Sequence, residues 1–182
     1  MKLCAASLLP HLAALPPFVA SMQVSAQALL HGLVLTWDWH GPVNSLRIPK
    51  KDEVLDLDRL WAHTCFEVFL QSQGTDSYRE FNFSPSGQHQ CFDFDEYRTR
   101  SVKQAFQGRA LSECCWHVGE EALCLRATLP HEFLPIGKGL LSVGLTAVLE
   151  DAAGQHSFWA LSHHQDRPDF HDAKAWSLQL EL

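Results

Sequence analysis

The chain has 182 residues, 46% of them hydrophobic and 19% charged, the balance of a folded globular chain rather than a disordered one. Fourteen Lys and Arg stand against 21 Asp and Glu, a formal charge of −7, which excludes the basic surface that drives binding to nucleic acid or to anionic membranes. No uninterrupted apolar stretch of about 20 residues argues for a transmembrane helix, and one domain over 1–182 is expected, able to bury roughly 70% of its unfolded surface without staples.

Residues 1–20 admit two readings. Lys2, an apolar run and small residues near Ala20-Ser21 resemble a secretory signal. Pro10, His11, Pro16 and Pro17 interrupt that run, which suits a short first strand followed by an irregular loop. The chain is therefore expected in the cytoplasm, with export as the alternative if 1–20 acts as a signal. Six cysteines, Cys4, Cys65, Cys91, Cys114, Cys115 and Cys124, include a vicinal pair but no CxxC. They are expected as buried reduced thiols rather than as a disulfide framework or a zinc site.

The dominant period from there on is two, which means strands. From Phe18 to Leu30 the even positions are apolar and those between are mostly Ser and Gln. His31-Gly32 is a turn, and Leu33, Leu35, Trp37 and Trp39 carry a second strand to Gly41-Pro42, a hairpin. Lys50 to Arg59 is a polar connection that can hold a helical turn. Strands follow at about Thr64–Leu70, Tyr78–Ser84 and Gln90–Phe94, separated by Gln73-Gly74 and Pro85-Ser86-Gly87. Tyr97–Ala110 is a helix or a long loop. Cys115–Val118 and Ala122–Leu129 form a hairpin about Gly119-Glu120, and Leu140–Leu149 and His156–Leu161 form another about Asp151–Gly154. Lys174–Leu182 reads as a last strand with Trp176, Leu178, Leu180 and Leu182 on one side. About ten short antiparallel strands with one or two short helices predict an all-β fold, an antiparallel β-sandwich of jelly-roll or immunoglobulin-like type.

Parity in the middle three strands separates two faces. Phe66, Val68, Phe81 and Phe83 belong on one side, and Phe92 and Phe94 are expected with them, because mixing carboxylates among phenylalanines is costly. The other face then collects Glu67, Glu80, Asn82 and Asp93 beside Trp61, Tyr78 and Cys65. Three carboxylates on adjacent strands repel one another unless something compensates. A solvated face with basic neighbours would do so. So would a ligand rich in hydroxyls, since carboxylates and amides accept its hydrogen bonds while Trp and Tyr offer flat apolar platforms. A hard cation such as calcium is the third solution. A glycosidase would need Glu67 and Glu80 about 5–5.5 Å apart, or about 6.5–9.5 Å if inverting. Residues 163–172 hold three histidines and three aspartates, among them His163, Asp169 and His171. Pro168 marks this stretch as an extended loop, and its spacing is not diagnostic of a metal. It is expected either as solvated loop or as the rim of a site.

Leu60-Trp61-Ala62-His63-Thr64-Cys65-Phe66-Glu67-Val68-Phe69-Leu70, followed by Tyr78-Arg79-Glu80-Phe81-Asn82-Phe83-Ser84-Pro85-Ser86-Gly87, resembles the DOMON-like proteins of bacteria, which are related to family 9 carbohydrate-binding modules. Phe158-Trp159-Ala160-Leu161-Ser162-His163, then Pro168-Asp169-Phe170-His171, is similar to that group's closing motif, and Leu9-Pro10-His11 also fits it. The resemblance spans nearly the whole chain and implies a binding β-sandwich rather than a catalyst. It implies that Trp61, Glu67, Glu80 and Asn82 line or support a sugar site. Family 9 modules carry calcium, but His63-Thr64-Cys65 stand here where those modules tend to be acidic. Haem-binding relatives use Met and His ligands; with only Met1 and Met22 in the chain, haem is not expected.

The function expected from the sequence is non-catalytic binding of a small-molecule or glycan ligand. Trp61, Glu67, Tyr78, Glu80, Asn82, Asp93, His163, Asp169 and His171 are the candidate ligand-binding residues, no residue is assigned as catalytic, and calcium is an optional cofactor. Two alternatives stand beside this reading. One is a metal-assisted or acid–base enzyme using Glu67, Glu80 and the His163–His171 loop. The other is an interaction domain whose polar face is solvated.

Overall fold

The computed structural model describes residues 3–106, 109, 113–135 and 139–181. Twelve strands follow in chain order: β1 (Leu3–Pro10), β2 (Ser21–Leu29), β3 (Gly32–His40), β4 (Cys65–Ser72), β5 (Tyr78–Phe83), β6 (His89–Glu96), β7 (Thr99–Arg100), β8 (Glu113–Val118), β9 (Ala122–Pro130), β10 (Leu140–Glu150), β11 (His156–Ala160) and β12 (Leu178–Glu181). Every pairing among them is antiparallel. The helical content is short 3-10 turns, and among the described residues no helix is long and apolar enough to cross a membrane.

The strands form the two layers of a sandwich. The first runs β1-β2-β3-β9-β8 and the second β7-β6-β5-β4-β10. Beyond β10, β11 pairs with its second half and β12 with its first half. The first strand joins the layers: Leu3–Leu8 pair with β2, whereas Leu9 and Pro10 pair with β11. The alternation of β2 and β3 is realised as predicted, with Met22, Val24, Ala26, Leu33, Leu35, Trp37 and Trp39 all buried. Trp37 anchors the contact between layers. Its ring meets Phe66 of β4 at 6.0 Å and Phe83 of β5 at 5.9 Å between centroids, and its indole N–H donates to the Thr146 carbonyl of β10 at 3.1 Å. Burial of each such phenylalanine contributes roughly 1.5–3 kcal/mol, and the indole's polar atom is satisfied where it enters the core.

A second apolar cluster lies on the outer face of the second layer. Phe69, Tyr78, Phe92, Phe94 and Val148 rise from its strands and are covered by Phe170, Ala175 and Trp176. The cover is the irregular segment 161–177 between β11 and β12. It is pinned to the end of β1, where the His163 imidazole bonds the Leu9 carbonyl at 2.9 Å and the His11 imidazole bonds the Gln165 carbonyl at 3.0 Å. Asp172 caps its 3-10 turn by accepting the Lys174 N–H at 3.0 Å. Trp176 lies over Phe69, stacked at 5.4 Å, above Gly144 of β10. A Cβ on Gly144 would stand 2.1 Å from Trp176 Cδ1, so the glycine is what lets the indole reach the sheet.

Three expectations are corrected, and between the two readings of Tyr97–Ala110 the helix is set aside. Leu30 is a turn residue and 83% exposed. Trp176 belongs to the outer cluster while Leu178 and Leu180 join the main core, because the strand starts only at Leu178. Over Tyr97–Ala110 no helix forms among the described residues; the chain makes the two-residue β7 and then an irregular stretch, with 107, 108 and 110 outside the described residues. All six cysteines are unpaired, but only Cys65 and Cys91 are buried, and Cys115 is exposed.

Gly144→Ala is expected to lift Trp176 from the sheet, at a cost of about 1–3 kcal/mol. Thermal melts should show a midpoint lower by roughly 2–4 °C per kcal/mol, with a changed near-ultraviolet circular dichroism. An unaltered midpoint and spectrum would show that the indole is not held by this contact.

Candidate functional site

A cleft of about 550 Å³ opens on the outer face of the second layer, beside the covering segment. Strand register builds its floor. In one row Thr146, Glu67, Asn82 and Gln90 lie opposite one another on β10, β4, β5 and β6; in the next, Gly144, Phe69, Glu80 and Phe92 do. Both glutamates therefore point outward from neighbouring strands, diagonal to each other. The walls are aromatic. Phe94 comes from β6, Phe158 from β11 and Phe170 from the covering segment, while Trp61 stands at the mouth, 43% exposed. Arg98 and Arg100, from the turn into β7 and from β7 itself, complete the lining with His171.

Glu67 and Glu80 are 3% and 5% exposed, and burial governs their chemistry. It pushes the Glu67 carboxyl well above the usual carboxylate range, and the neighbouring charge of Glu80 pushes it further, against one hydrogen bond from Thr146. That bond runs from the hydroxyl to Glu67 Oε2 at 3.3 Å. Glu80 is pushed up to about 7 by burial, against the Asn82 amide and the more distant charges of Arg100 and Arg98. Near neutral pH the floor thus holds protons that exposed carboxyls would have lost.

The other residues of the group hold these in place. The Asn82 amide donates to Glu80 Oε1, and its carbonyl oxygen accepts from the Cys65 thiol at 3.7 Å. The Tyr78 hydroxyl bonds His171 Nδ1 at 2.7 Å and accepts the Arg98 backbone N–H at 3.1 Å. The other ring nitrogen of His171, Nε2, faces Glu80 Oε2 at 3.8 Å. Burial, and after it the charge of Arg98, depresses His171 to about 4 despite the opposing pull of Asp169, so the ring is neutral beside the glutamate. Burial would raise Asp169, yet hydrogen bonds from Tyr97 and Arg98 hold it below its ordinary value. It grips Arg98 at 2.7 Å. The Arg98 backbone is left-handed, φ 54°, a conformation that costs a non-glycine residue roughly 1–2 kcal/mol. It turns the chain so that Arg98 and Arg100 both reach the cleft.

Of the nine residues singled out in the sequence, Trp61, Glu67, Glu80 and His171 line the cleft. Tyr78 and Asn82 stand one layer behind, on His171 and Glu80. Asp169 lines an adjoining groove and reaches the cleft through Arg98. His163 lies at the β1 end of the covering segment. Asp93 is on the wrong face: it pairs opposite Arg79, bonds its guanidinium at 2.6 Å and points away from the cleft. The same register, Tyr78 to Phe94 and Glu80 to Phe92, puts Phe92 and Phe94 on the cleft face rather than in the core with Phe81 and Phe83. The outer face is itself apolar beneath the cover, so phenylalanine there is no anomaly. Arg98, Arg100, Phe158 and Phe170 are cleft residues that sequence reasoning missed; the arginines alternate about Thr99, a period-two signal too short to be seen.

No protein-family model matches the sequence, and no curated protein does. Solved structures do share the fold. A Bacteroides uniformis protein proposed to be carbohydrate-binding superposes over 96% of this chain and 83% of its own, with a TM-score of 0.65 at 12% identity. A family 9 carbohydrate-binding module from Caldicellulosiruptor kristjanssonii in complex with cellotriose matches over 93% of this chain and 75% of its own, TM-score 0.57, 7% identity. The structure of a family 9 module from the same organism with glucose matches over 85% and 73%, TM-score 0.55, 8% identity. At these identities the likeness is one of fold, the antiparallel β-sandwich.

The buried glutamates set a pH dependence. Glu80 titrates at about 7 in the folded protein and near the ordinary 4.5 when unfolded. Between those values the native state holds more protons, and stability falls as pH rises. His171, depressed from 6.5 to about 4, acts in the opposite sense, its contribution being lost as pH falls across that window. Glu80→Gln keeps the acceptor for Asn82 and removes the first effect. Its melting midpoint should exceed wild type at about pH 8 and coincide with it at about pH 4. A difference that does not change with pH would refute the burial of this charge.

Proposed function

We propose that the protein is a non-catalytic, DOMON-like carbohydrate-binding β-sandwich whose ligand is a glycan or small sugar held in the cleft of Glu67 and Glu80. The observation that carries this reading is the pairing of buried acceptors with aromatic walls in one cavity. A sugar presents hydroxyl donors around its rim and apolar C–H faces above and below. Glu67 and Glu80 accept the former, Arg98 and Arg100 donate to ring and hydroxyl oxygens, and Trp61 offers its exposed indole to the latter. His171, Tyr78, Asn82 and Asp169 act by holding the glutamates and Arg98. The family 9 modules that share the fold were solved with cellotriose and with glucose, which supports sugar as the ligand class to try first. The same glutamates can be read as the acid pair of a glycosidase, since a carboxyl near 7 is a competent general acid.

Thermal-shift and calorimetric titration with glucose and cello-oligosaccharides distinguish these. Binding is expected without turnover. Trp61→Ala should weaken it about tenfold, or about 1.4 kcal/mol, and Glu80→Ala should abolish it. Release of nitrophenol from nitrophenyl glycosides, lost in Glu80→Ala, would establish the glycosidase instead. A flat response to every sugar would leave the face an interaction surface.

A further inference from the structure

Glu67 and Glu80 are not equivalent. Glu80 has the Asn82 amide, the His171 ring at 3.8 Å and the field of both arginines. Glu67 is equally buried and opens on the same cleft, yet its side-chain hydrogen bond is to a single hydroxyl, that of Thr146. The titratable groups that bear on it are Glu80 on β5 and Cys65 on its own strand, and neither is a cation. The two arginines of the cleft have other carboxylate partners: Arg98 has Asp169 at 2.7 Å, and Arg100, its Cζ 3.8 Å from the Phe92 ring centroid, has Asp58 at 3.7 Å.

We infer that the ligand is an amino sugar, a glycan unit whose free ammonium is received by Glu67. This rests on the sugar-binding reading above and narrows it. A buried carboxylate without a cation is costly, and one paired with a hydrogen-bonded cation is not. The rings of Trp61, Phe94, Phe158 and Phe170 line the cleft around this floor, and an aromatic face attracts an ammonium by its quadrupole. A uronic acid would bring a third carboxylate to two that already repel one another, in a chain of net charge −7. On binding, Glu67 gives its proton to solvent and the ammonium takes the proton's place beside the carboxylate. Charge is thereby conserved within the cleft.

Three β-1,4-linked trimers that differ at C2 test this: cellotriose with hydroxyl, the glucosamine trimer with ammonium, and the N-acetylglucosamine trimer with a neutral amide. An amine beside a ring acetal titrates near the α-amino range of roughly 7.7–8.0, so runs at about pH 6.5 keep it charged. Calorimetry in buffers of different ionisation enthalpy reads affinity and proton release together. The glucosamine trimer should bind at least about tenfold tighter than the other two, and only it should release about one proton. Glu67→Gln should abolish the proton release and bring the affinities of the three trimers to within roughly threefold of one another. Equal or tighter binding of cellotriose or of the acetylated trimer would overturn the inference and leave the sugar site standing. Binding of none of the three would overturn both.

Discussion

The second layer of this sandwich is apolar on both faces, so it has to be covered twice. One cover is the first layer, through Trp37, Phe66 and Phe83. The other is the irregular segment 161–177, which has no ladder of its own. It is held by side chains: Trp176 on Gly144 and Phe69, the Trp176 indole on the Phe170 carbonyl at 2.9 Å, and histidines on the end of β1. A loop cannot match the breadth of a sheet. It covers Phe69, Tyr78 and Phe94, and Glu67 and Glu80 lie at its flank, where the cleft is the gap left between cover and sheet. The site is thus a consequence of how the outer face is closed.

The charges follow from that geometry. A sheet open to water would leave these two glutamates ionised and inexpensive. Beneath the flank of a loop and among phenylalanines they lose hydration, repel one another and retain protons. Such a pair lowers stability near neutral pH, and nothing in the packing requires it: glutamine would fill the same space. Groups that destabilise a fold and face a cavity belong to what the cavity does.

The sandwich was legible because most strands alternate cleanly, and Glu67, Glu80 and Asn82 were legible because their parity opposes that of Phe66, Phe81 and Phe83. The same logic failed at Phe92, Phe94 and Asp93. It assumes one apolar face per sheet, and here a phenylalanine is at home on either, while Asp93 is stabilised on the inner side by Arg79. Arg98 and Arg100 escaped because the first is itself the left-handed residue of a tight turn and the second lies just beyond it, in a stretch with no period. Trp176 was placed with the strand beside it in sequence, although it belongs to the cover. What pattern cannot give is the second cover, since an irregular segment has no periodicity by which to announce the face it packs on.

The first strand is hydrogen-bonded to both layers, and its last residues reach a partner far along the chain: Leu9 lies opposite Ala160. Few contacts in a chain of this length span so much sequence. Loop closure of that size must be completed before the pairing returns any free energy, and topologies ruled by such contacts fold slowly. The two layers can form early from their hairpins, β2 with β3 and β10 with β11. The seam between them, and with it the covering segment that His11 and His163 tie to β1, requires the longer closure. The cleft therefore depends on a long-range closure, and its walls stand together only in the completed fold.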